Sequence, residues 1–222
     1  MKETSFTPVL FSIILLFLNP ALSAALDDYD LYYQVQVGDK YFQDRYLLQK
    51  LPDHWLRTFI TGSETTVTCN DSTRTLRMTV QDSLADTDLM IVRQNNYLVI
   101  TGRQLGKQVN KNLKIDDRPW FQAISHSLYD FVKSEDSEIE FWFLLVDGLQ
   151  AYKLKALKAG LETITLDGRE YETCKVKVTL KGILSALWSS YYWYRATDGL
   201  FVQYKGRNGP PGTPYTIVRL LN

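Results

Sequence analysis

The side chains best suited to acid, base or nucleophilic chemistry are scarce in this sequence. It contains two histidines, His54 and His126, and two cysteines, Cys69 and Cys174. Neither histidine stands near a nucleophile motif such as Gly-x-Ser-x-Gly, and a zinc site needs such residues clustered rather than scattered. We therefore predict no catalytic residue, no metal site and no cofactor, and we expect both histidines to be solvated surface residues.

Carboxylates are more plentiful, for example Glu135, Asp136, Glu138 and Glu140. Two of them could act as the acid and nucleophile of a glycosidase. A polar loop that leads into a strand is more often a solvated surface, so an envelope hydrolase is kept only as a second alternative function. The 25 basic residues balance the 25 acidic ones, which argues against nucleic acid and anionic membrane surfaces as partners.

The clearest of the elements that would position a site is a helix. Asp116 and Asp117 can cap its first turn, and Pro119 suits a position where a missing N–H costs nothing. Apolar residues then recur at intervals of three or four, which predicts a helix over 119–132 with one apolar face. The residues of that face are Trp120, Phe121, Ile124, Leu128 and Phe131.

A strand hairpin is predicted directly after this helix. From Glu138 the apolar period changes to two, and Asp147-Gly148 is a strong signal for a two-residue turn with both φ angles positive. The pairs that this turn predicts are Phe143 with Tyr152, Phe141 with Leu154, and Ile139 with Ala156. All six side chains would share one face of the sheet, which the helix should cover.

The Asp-Gly pair recurs at 167–168 and 198–199, each time between strand-like runs. Three such hairpins predict one antiparallel meander sheet rather than crossover units. A two-residue turn at the third pair would set Trp193 opposite Tyr204.

The remaining chain adds mainly strands. Alternating patterns bounded by turn formers run through 31–113, and 182–189 suits a short second helix. The sequence therefore predicts an α+β protein, mainly β, with a single domain over 26–222. Cys69 and Cys174 should point inward from strands distant in the sheet, so two buried thiols are favoured over a disulfide.

Residues 1–25 have the features of a secretory signal peptide. Lys2 precedes an apolar run over 9–18, and the small residues of ALSAA follow. A run of about ten apolar residues is too short to cross a bilayer, which takes about twenty. We expect an exported mature protein with no transmembrane segment, periplasmic if the source is a Gram-negative bacterium.

The region 98–221 resembles a known family through its ordered motifs. They read PWFQAISHSL, EIEFWFLLVDGLQAYKLKA, LKAGLETITLDGREYETCKVKVTL and LWSSYYWYRATDGLFVQYKGRNGPPGTP. They resemble exported bacterial proteins of an uncharacterised domain family, similar in architecture to the periplasmic lipoprotein-localisation carriers. The resemblance implies a half-open antiparallel barrel curled around one or two helices, with an apolar concavity and no established catalytic residues. No cysteine stands directly after the apolar run as a lipid-attachment site, unlike in receptor-type carriers. This favours a soluble periplasmic role.

These features predict a non-enzymatic exported protein that binds or carries an apolar or lipid-like ligand in the barrel. The first alternative is a structural or assembly factor of the cell envelope that acts through contact with another protein. The residues predicted to line the cavity are Trp120, Ile124, Leu128, Phe141, Phe143, Tyr152, Leu154, Trp193 and Tyr204.

Overall fold

The computed structural model describes residues 28–52, 54–61, 63–181, 188–207 and 213–221. The predicted signal peptide over 1–25 lies outside the described residues. So does most of the predicted second helix, since 182–187 are not described, Trp188 lies outside regular structure and Ser189 begins a strand.

Within the described residues, fourteen strands form one antiparallel sheet that does not close, and it curls into the predicted half-barrel. The elements in chain order are β1 (Tyr29–Val37), β2 (Lys40–Leu51), β3 (His54–Thr61), β4 (Ser63–Cys69), β5 (Thr75–Asp82), β6 (Thr87–Gln94), β7 (Tyr97–Gln104), β8 (Lys107–Lys114), α1 (Ile124–Ser127), α2 (Tyr129–Lys133), β9 (Glu138–Leu145), β10 (Gln150–Leu166), β11 (Arg169–Leu180), β12 (Ser189–Arg195), β13 (Phe201–Arg207) and β14 (Tyr215–Leu220). Each strand pairs with its neighbours in sequence, except where the chain crosses from β8, at one edge, to β9, at the other. The pairing of β1 with β14 joins the two halves of the chain into one sheet.

The first two Asp-Gly hairpins have the predicted registers. Asp167 and Gly168 form a two-residue turn with φ angles of 48° and 77°. At the earlier turn, Phe143 pairs with Tyr152, as predicted. There, however, the positive φ angle of 45° is at Leu149 and not at the Asp-Gly pair. This wider turn lets the Leu149 side chain, 8% exposed, pack into the core.

The third hairpin differs from the prediction by one residue. Tyr192, and not Trp193, pairs with Tyr204, and the register shifts at a bulge after Trp193. The turn is wider than two residues because the Arg195 N–H donates to the Leu200 carbonyl over 2.7 Å. Since side chains alternate along a strand, the shift places Tyr192 on the inner face of the sheet and Trp193 on the outer face.

The helical region begins later than predicted. Instead of a helix from Pro119, the structure has the two short helices α1 and α2, and residues 119–122 are not helical. The Trp142 N–H donates to the Pro119 carbonyl over 2.8 Å, and the Phe121 N–H donates to the Trp142 carbonyl over 2.9 Å. Residues 119–122 therefore lie along the otherwise unpaired edge of β9, because strand edges expose backbone groups that need partners.

Asp116, predicted as a helix cap, takes a different role. Its carboxylate accepts hydrogen bonds from the Trp142 indole over 2.7 Å and from the Lys153 ammonium over 2.8 Å. The carboxylate therefore forms hydrogen bonds to side chains of β9 and β10 and does not cap a helix.

Residues 119–122 and β9 together form a partition between two hydrophobic cores. The first core contains Phe121 and Phe141, packed with α1, α2, β1 and β10–β14, whereas the second contains Trp120 and Leu144, packed with β2–β8. Adjacent residues enter opposite cores because side chains of extended backbone alternate in direction. The partition is thus buried on both faces.

Gln122 completes the hydrogen bonding of the partition. Its Oε1 accepts from the Trp120 indole over 3.0 Å and from the Leu144 N–H over 3.1 Å, and its Nε2 donates to the Leu144 carbonyl over 3.0 Å. The side-chain amide thereby forms the two hydrogen bonds to Leu144 that a peptide group of an adjacent strand would otherwise form. The Thr75 N–H, at the start of β5, donates to the Trp120 carbonyl over 2.8 Å and ties the partition to the other half of the sheet.

These contacts predict that Gln122→Ala is strongly destabilising, although the sequence alone suggests a tolerant position. The substitution leaves backbone and indole groups without partners, and each such buried group costs about 1 to 3 kcal/mol. We expect a loss of about 2 to 4 kcal/mol in urea unfolding. Gln108→Ala, on the exposed face of β8, is the matched control and should change stability by less than about 0.5 kcal/mol. Equal effects of the two substitutions would contradict this role.

Candidate ligand cavity

A cavity of about 510 Å³ lies between residues 122–125 and the inner face of the sheet. Its volume falls within the range of about 300 to 1,000 Å³ that is typical of small-molecule sites. The lining residues are Tyr46, Phe59, Gln122, Ala123, Ile124, Ser125, Phe143, Leu145, Tyr152, Leu154, Leu180, Trp188, Tyr192, Phe201, Tyr204 and Val218.

The cavity wall carries no charge among the described residues that line it. Burial raises the pKa of the Tyr46, Tyr192 and Tyr204 hydroxyls. These phenols therefore stay neutral at physiological pH. The other side chains with polar atoms are Tyr152, Gln122, Ser125 and Trp188. The Gln122 amide is already engaged by the partition, and the Trp188 indole N–H donates to the Arg207 carbonyl. The wall is thus suited to apolar groups along most of its surface.

Interlocking aromatic rings build one side of the wall. The Tyr192 ring contacts that of Tyr204 edge to face, with the ring centres 4.9 Å apart, and lies 6.0 Å from that of Phe201. The Tyr46 and Phe59 rings meet edge to face at 4.7 Å. Such arrangements are favourable for aromatic quadrupoles, so the rings stabilise one another's positions.

The structure brings several of the predicted lining residues together. Those that line the cavity are Ile124, Phe143, Tyr152, Leu154 and Tyr204. Leu128 and Phe141 are fully buried in the first core and do not reach the cavity, because α1 and β9 pack tightly there. Trp120 lies in the second core, on the far side of the partition.

Trp193 lies on the outer face of the sheet, away from the cavity. Its indole N–H donates to the Glu162 carboxylate. The ammonium groups of Lys175 and Lys205 lie 5.1 and 5.3 Å from its ring centre. These cation–π contacts bury the ring beneath charged side chains, which explains how an outward tryptophan is only 4% exposed.

The first half of the chain contributes residues to the cavity that were not predicted from the sequence. Tyr46 and Phe59, on β2 and β3, are paired across those strands and line the cavity. Their alternating pattern identifies an inward face, but only the long-range pairing of β1 with β14 brings that face toward β12 and β13. No local signal in the sequence specifies this pairing.

The histidine expectation was wrong for His126, which is 2% exposed. Its ring lies in the interior, 5.9 Å from the ring of Trp55. Burial, with a smaller contribution from the Arg57 charge, lowers its pKa to about 3. It is therefore neutral at physiological pH. Its position follows from α1, which packs between the two cores and not on the surface.

The cysteines are buried free thiols, as predicted. Burial raises the pKa of the Cys69 thiol to about 11, so it is an unreactive neutral group at physiological pH.

Over the part of the chain that the structure describes, His, Cys, Asp and Glu form no group of three or more that could hold a metal ion. In the same part, no helix has the length and apolar character needed to span a bilayer.

Comparison with known proteins identifies the fold but no family. No family model matches the chain, and no curated protein matches it. A solved structure of a beta-barrel-like protein of the domain of unknown function DUF1849, from Brucella abortus, matches with a TM-score of 0.62 at 8% identity, covering 89% of this chain and 97% of that one. At this identity the likeness shows a shared fold alone.

Two further structures are more distant. The hypothetical lipoprotein YmcC from Escherichia coli has a TM-score of 0.42 at 13% identity, with 87% of each chain covered. A LolA superfamily protein from Nitrosomonas europaea has a TM-score of 0.30 at 6% identity, covering 88% of this chain and 84% of that one. The match to the DUF1849 structure, and not these two, supports the resemblance recognised in the sequence as a likeness of fold.

The buried His126 predicts a specific loss of stability in mild acid. Its folded pKa lies below its unfolded value, so the unfolded state binds the extra proton as pH falls from about 6.5 toward 3. Between pH 7 and 4.5 this coupling should remove about 2 to 3 kcal/mol, the equivalent of two pKa units. Urea unfolding at both pH values should show a smaller pH dependence for His126→Gln than for the wild type. His54→Gln is the control, and identical pH dependence in all three proteins would contradict the assignment.

Proposed function

We propose that the mature protein, a single exported domain over 26–222, binds or carries one apolar chain in the cavity and performs no catalysis. The observation that carries this proposal is the neutral, largely aromatic wall around about 510 Å³ of space. An alkyl or acyl chain fits this surface because it needs no hydrogen-bond partner along its length. Each CH₂ group moved from water into such a site contributes about 0.8 kcal/mol.

The shape of the wall supports a chain over a compact polar ligand. Phe143, Tyr152 and Leu154 come from one hairpin, and Phe201 and Val218 come from strands on the other side of the cavity. Contacts from both sides can bury a flexible chain without a directional bond. A sugar or nucleotide would instead lose hydrogen bonds to water that this wall does not replace.

The test is displacement of the neutral fluorescent dye Nile red by straight-chain alcohols from hexanol to decanol. Because each buried CH₂ contributes about 0.8 kcal/mol, affinity should increase about fourfold per carbon until the cavity is filled. The chain length at which the increase stops measures the usable length of the site. Affinity that does not depend on chain length would contradict an apolar-chain site.

A charged side chain placed in the wall should abolish this binding. Phe143→Glu puts a carboxylate into the cavity, and a bound alkyl chain would leave that charge without water. We expect at least a tenfold loss of decanol affinity in a variant whose circular dichroism shows a folded protein. Phe42→Glu makes the same change at a residue that is 41% exposed and outside the lining, and it should bind normally. Absence of decanol binding by the wild type would overturn the proposal and leave the envelope assembly factor as the remaining interpretation.

A further inference from the structure

Arg57 is a fully buried cation beside the cavity. It lies on the inner face of β3 with an exposure of 0%, between Trp55 and Phe59 on the same strand. Its guanidinium carbon is 4.9 Å from the ring centre of Phe59, 5.0 Å from that of Tyr46 and 5.6 Å from that of Tyr29. Phe59 and Tyr46 also line the cavity, so the guanidinium lies directly behind this part of the wall.

The guanidinium has no hydrogen-bond partner. Its Nε, Nη1 and Nη2 atoms are all buried without an acceptor among the described residues, and no carboxylate in those residues forms a salt bridge with it. Arginine remains charged in proteins and carries five N–H donors. The aromatic faces attract the charge, but they do not supply acceptor atoms in the guanidinium plane. Buried charges are normally paired, whereas this one has no counterion among the described residues.

Within the described ranges, the neighbouring groups do not offer Arg57 an internal counterion at contact distance. The inward carboxylate of β2 is Asp44, four positions from Leu48, which is the register partner of Arg57. Four residues of strand correspond to about 13 Å. His126, whose ring contacts that of Trp55, also has its Nε2 atom buried without a partner. The region next to the cavity therefore contains a guanidinium and an imidazole nitrogen that have no hydrogen-bond partner among the residues described.

We propose that Arg57 binds the anionic head group of an amphiphile whose alkyl chain occupies the cavity. The inference rests on the proposed function, and it specifies the ligand as a single chain that ends in a carboxylate or a phosphate monoester. Both head groups match the fork geometry of a guanidinium and accept two parallel hydrogen bonds. Rotation of the Tyr46 or Phe59 side chain opens the contact, because these rings separate the guanidinium from the cavity.

The experiment compares ligands that share a chain and differ in head group. Decanoate, decyl phosphate and decanol are each used to displace Nile red at pH 8, at concentrations below micelle formation. We expect both anions to bind at least tenfold more tightly than decanol, the ratio typical of a buried charge-assisted hydrogen bond. Acetate and inorganic phosphate, which have the charge without the chain, should have no effect in the same concentration range.

Variants then test whether Arg57 is the source of the preference. Arg57→Met should reverse it in favour of decanol, because a carboxylate would lose its hydration without gaining a partner. Arg45→Met is the matched control, since it removes the same charge from an exposed ion pair with Asp30 on the outer face, and it should keep the preference. If Arg57→Met does not fold, Arg57→Lys serves instead and should retain a preference for the anions that is weaker than in the wild type.

The outcomes separate this inference from the proposed function. Equal affinity of the wild type for decanoate and decanol would overturn the anion site while leaving the apolar cavity intact. Failure of all three ligands to displace the dye would overturn both. Tight binding of acetate or inorganic phosphate would show a free-anion site and overturn the amphiphile, and a preference unchanged in Arg57→Met would also overturn the role of Arg57.

Discussion

The fold depends on hydrogen-bond partners for the backbone groups along the edge of β9 that pairs with no other strand. This strand lies between two hydrophobic cores, where water cannot supply partners for its backbone groups. The hydrogen bonds between Trp142 and residues 119–121, together with the Gln122 amide on Leu144, provide those partners from the chain itself. An edge strand that would otherwise be open to intermolecular pairing becomes an internal wall. The other edge, β8, is mostly exposed and carries Lys107, Lys111 and Lys114, which is a common protection against edge-to-edge association.

The same arrangement explains why a cavity exists. The chain leaves the partition at Gln122 and turns into α1 above the inner face of the sheet, where the Tyr194 hydroxyl donates to the Ile124 carbonyl over 2.9 Å. The Thr73 hydroxyl, just before β5, donates a 2.8 Å hydrogen bond to the Ser127 carbonyl at the end of α1. The short helix is thus held at both ends. Tilted and edge-to-face aromatic rings on β12 and β13 form one side of the space that remains.

Polarity is distributed unevenly around this cavity. Over the part of the chain that the structure describes, the wall is neutral, whereas Arg57, just behind it, has no counterion. An isolated buried charge is costly to the folded state because it loses its hydration without gaining a partner. A ligand that supplies the missing anion would recover that cost on binding. An amphiphile with an anionic head group would therefore satisfy both features, because its alkyl chain suits the cavity and its charge suits Arg57.

Local chemistry in the sequence determined the strands, the antiparallel sheet, the registers of the first two Asp-Gly hairpins and the burial of both cysteines. These features follow from alternation and turn preference, which act over a few residues. Tertiary structure decided the extended backbone at Trp120 and Phe121, because an apolar spacing that fits a helix also fits a strand edge that needs hydrogen bonds. It also decided the burial of His126, the wider turn that moved Trp193 outward, and the position of Tyr46 and Phe59 in one cavity wall with Phe143 and residues further along the chain. The last of these outcomes depends on the pairing of β1 with β14, a contact between distant segments that no local pattern specifies.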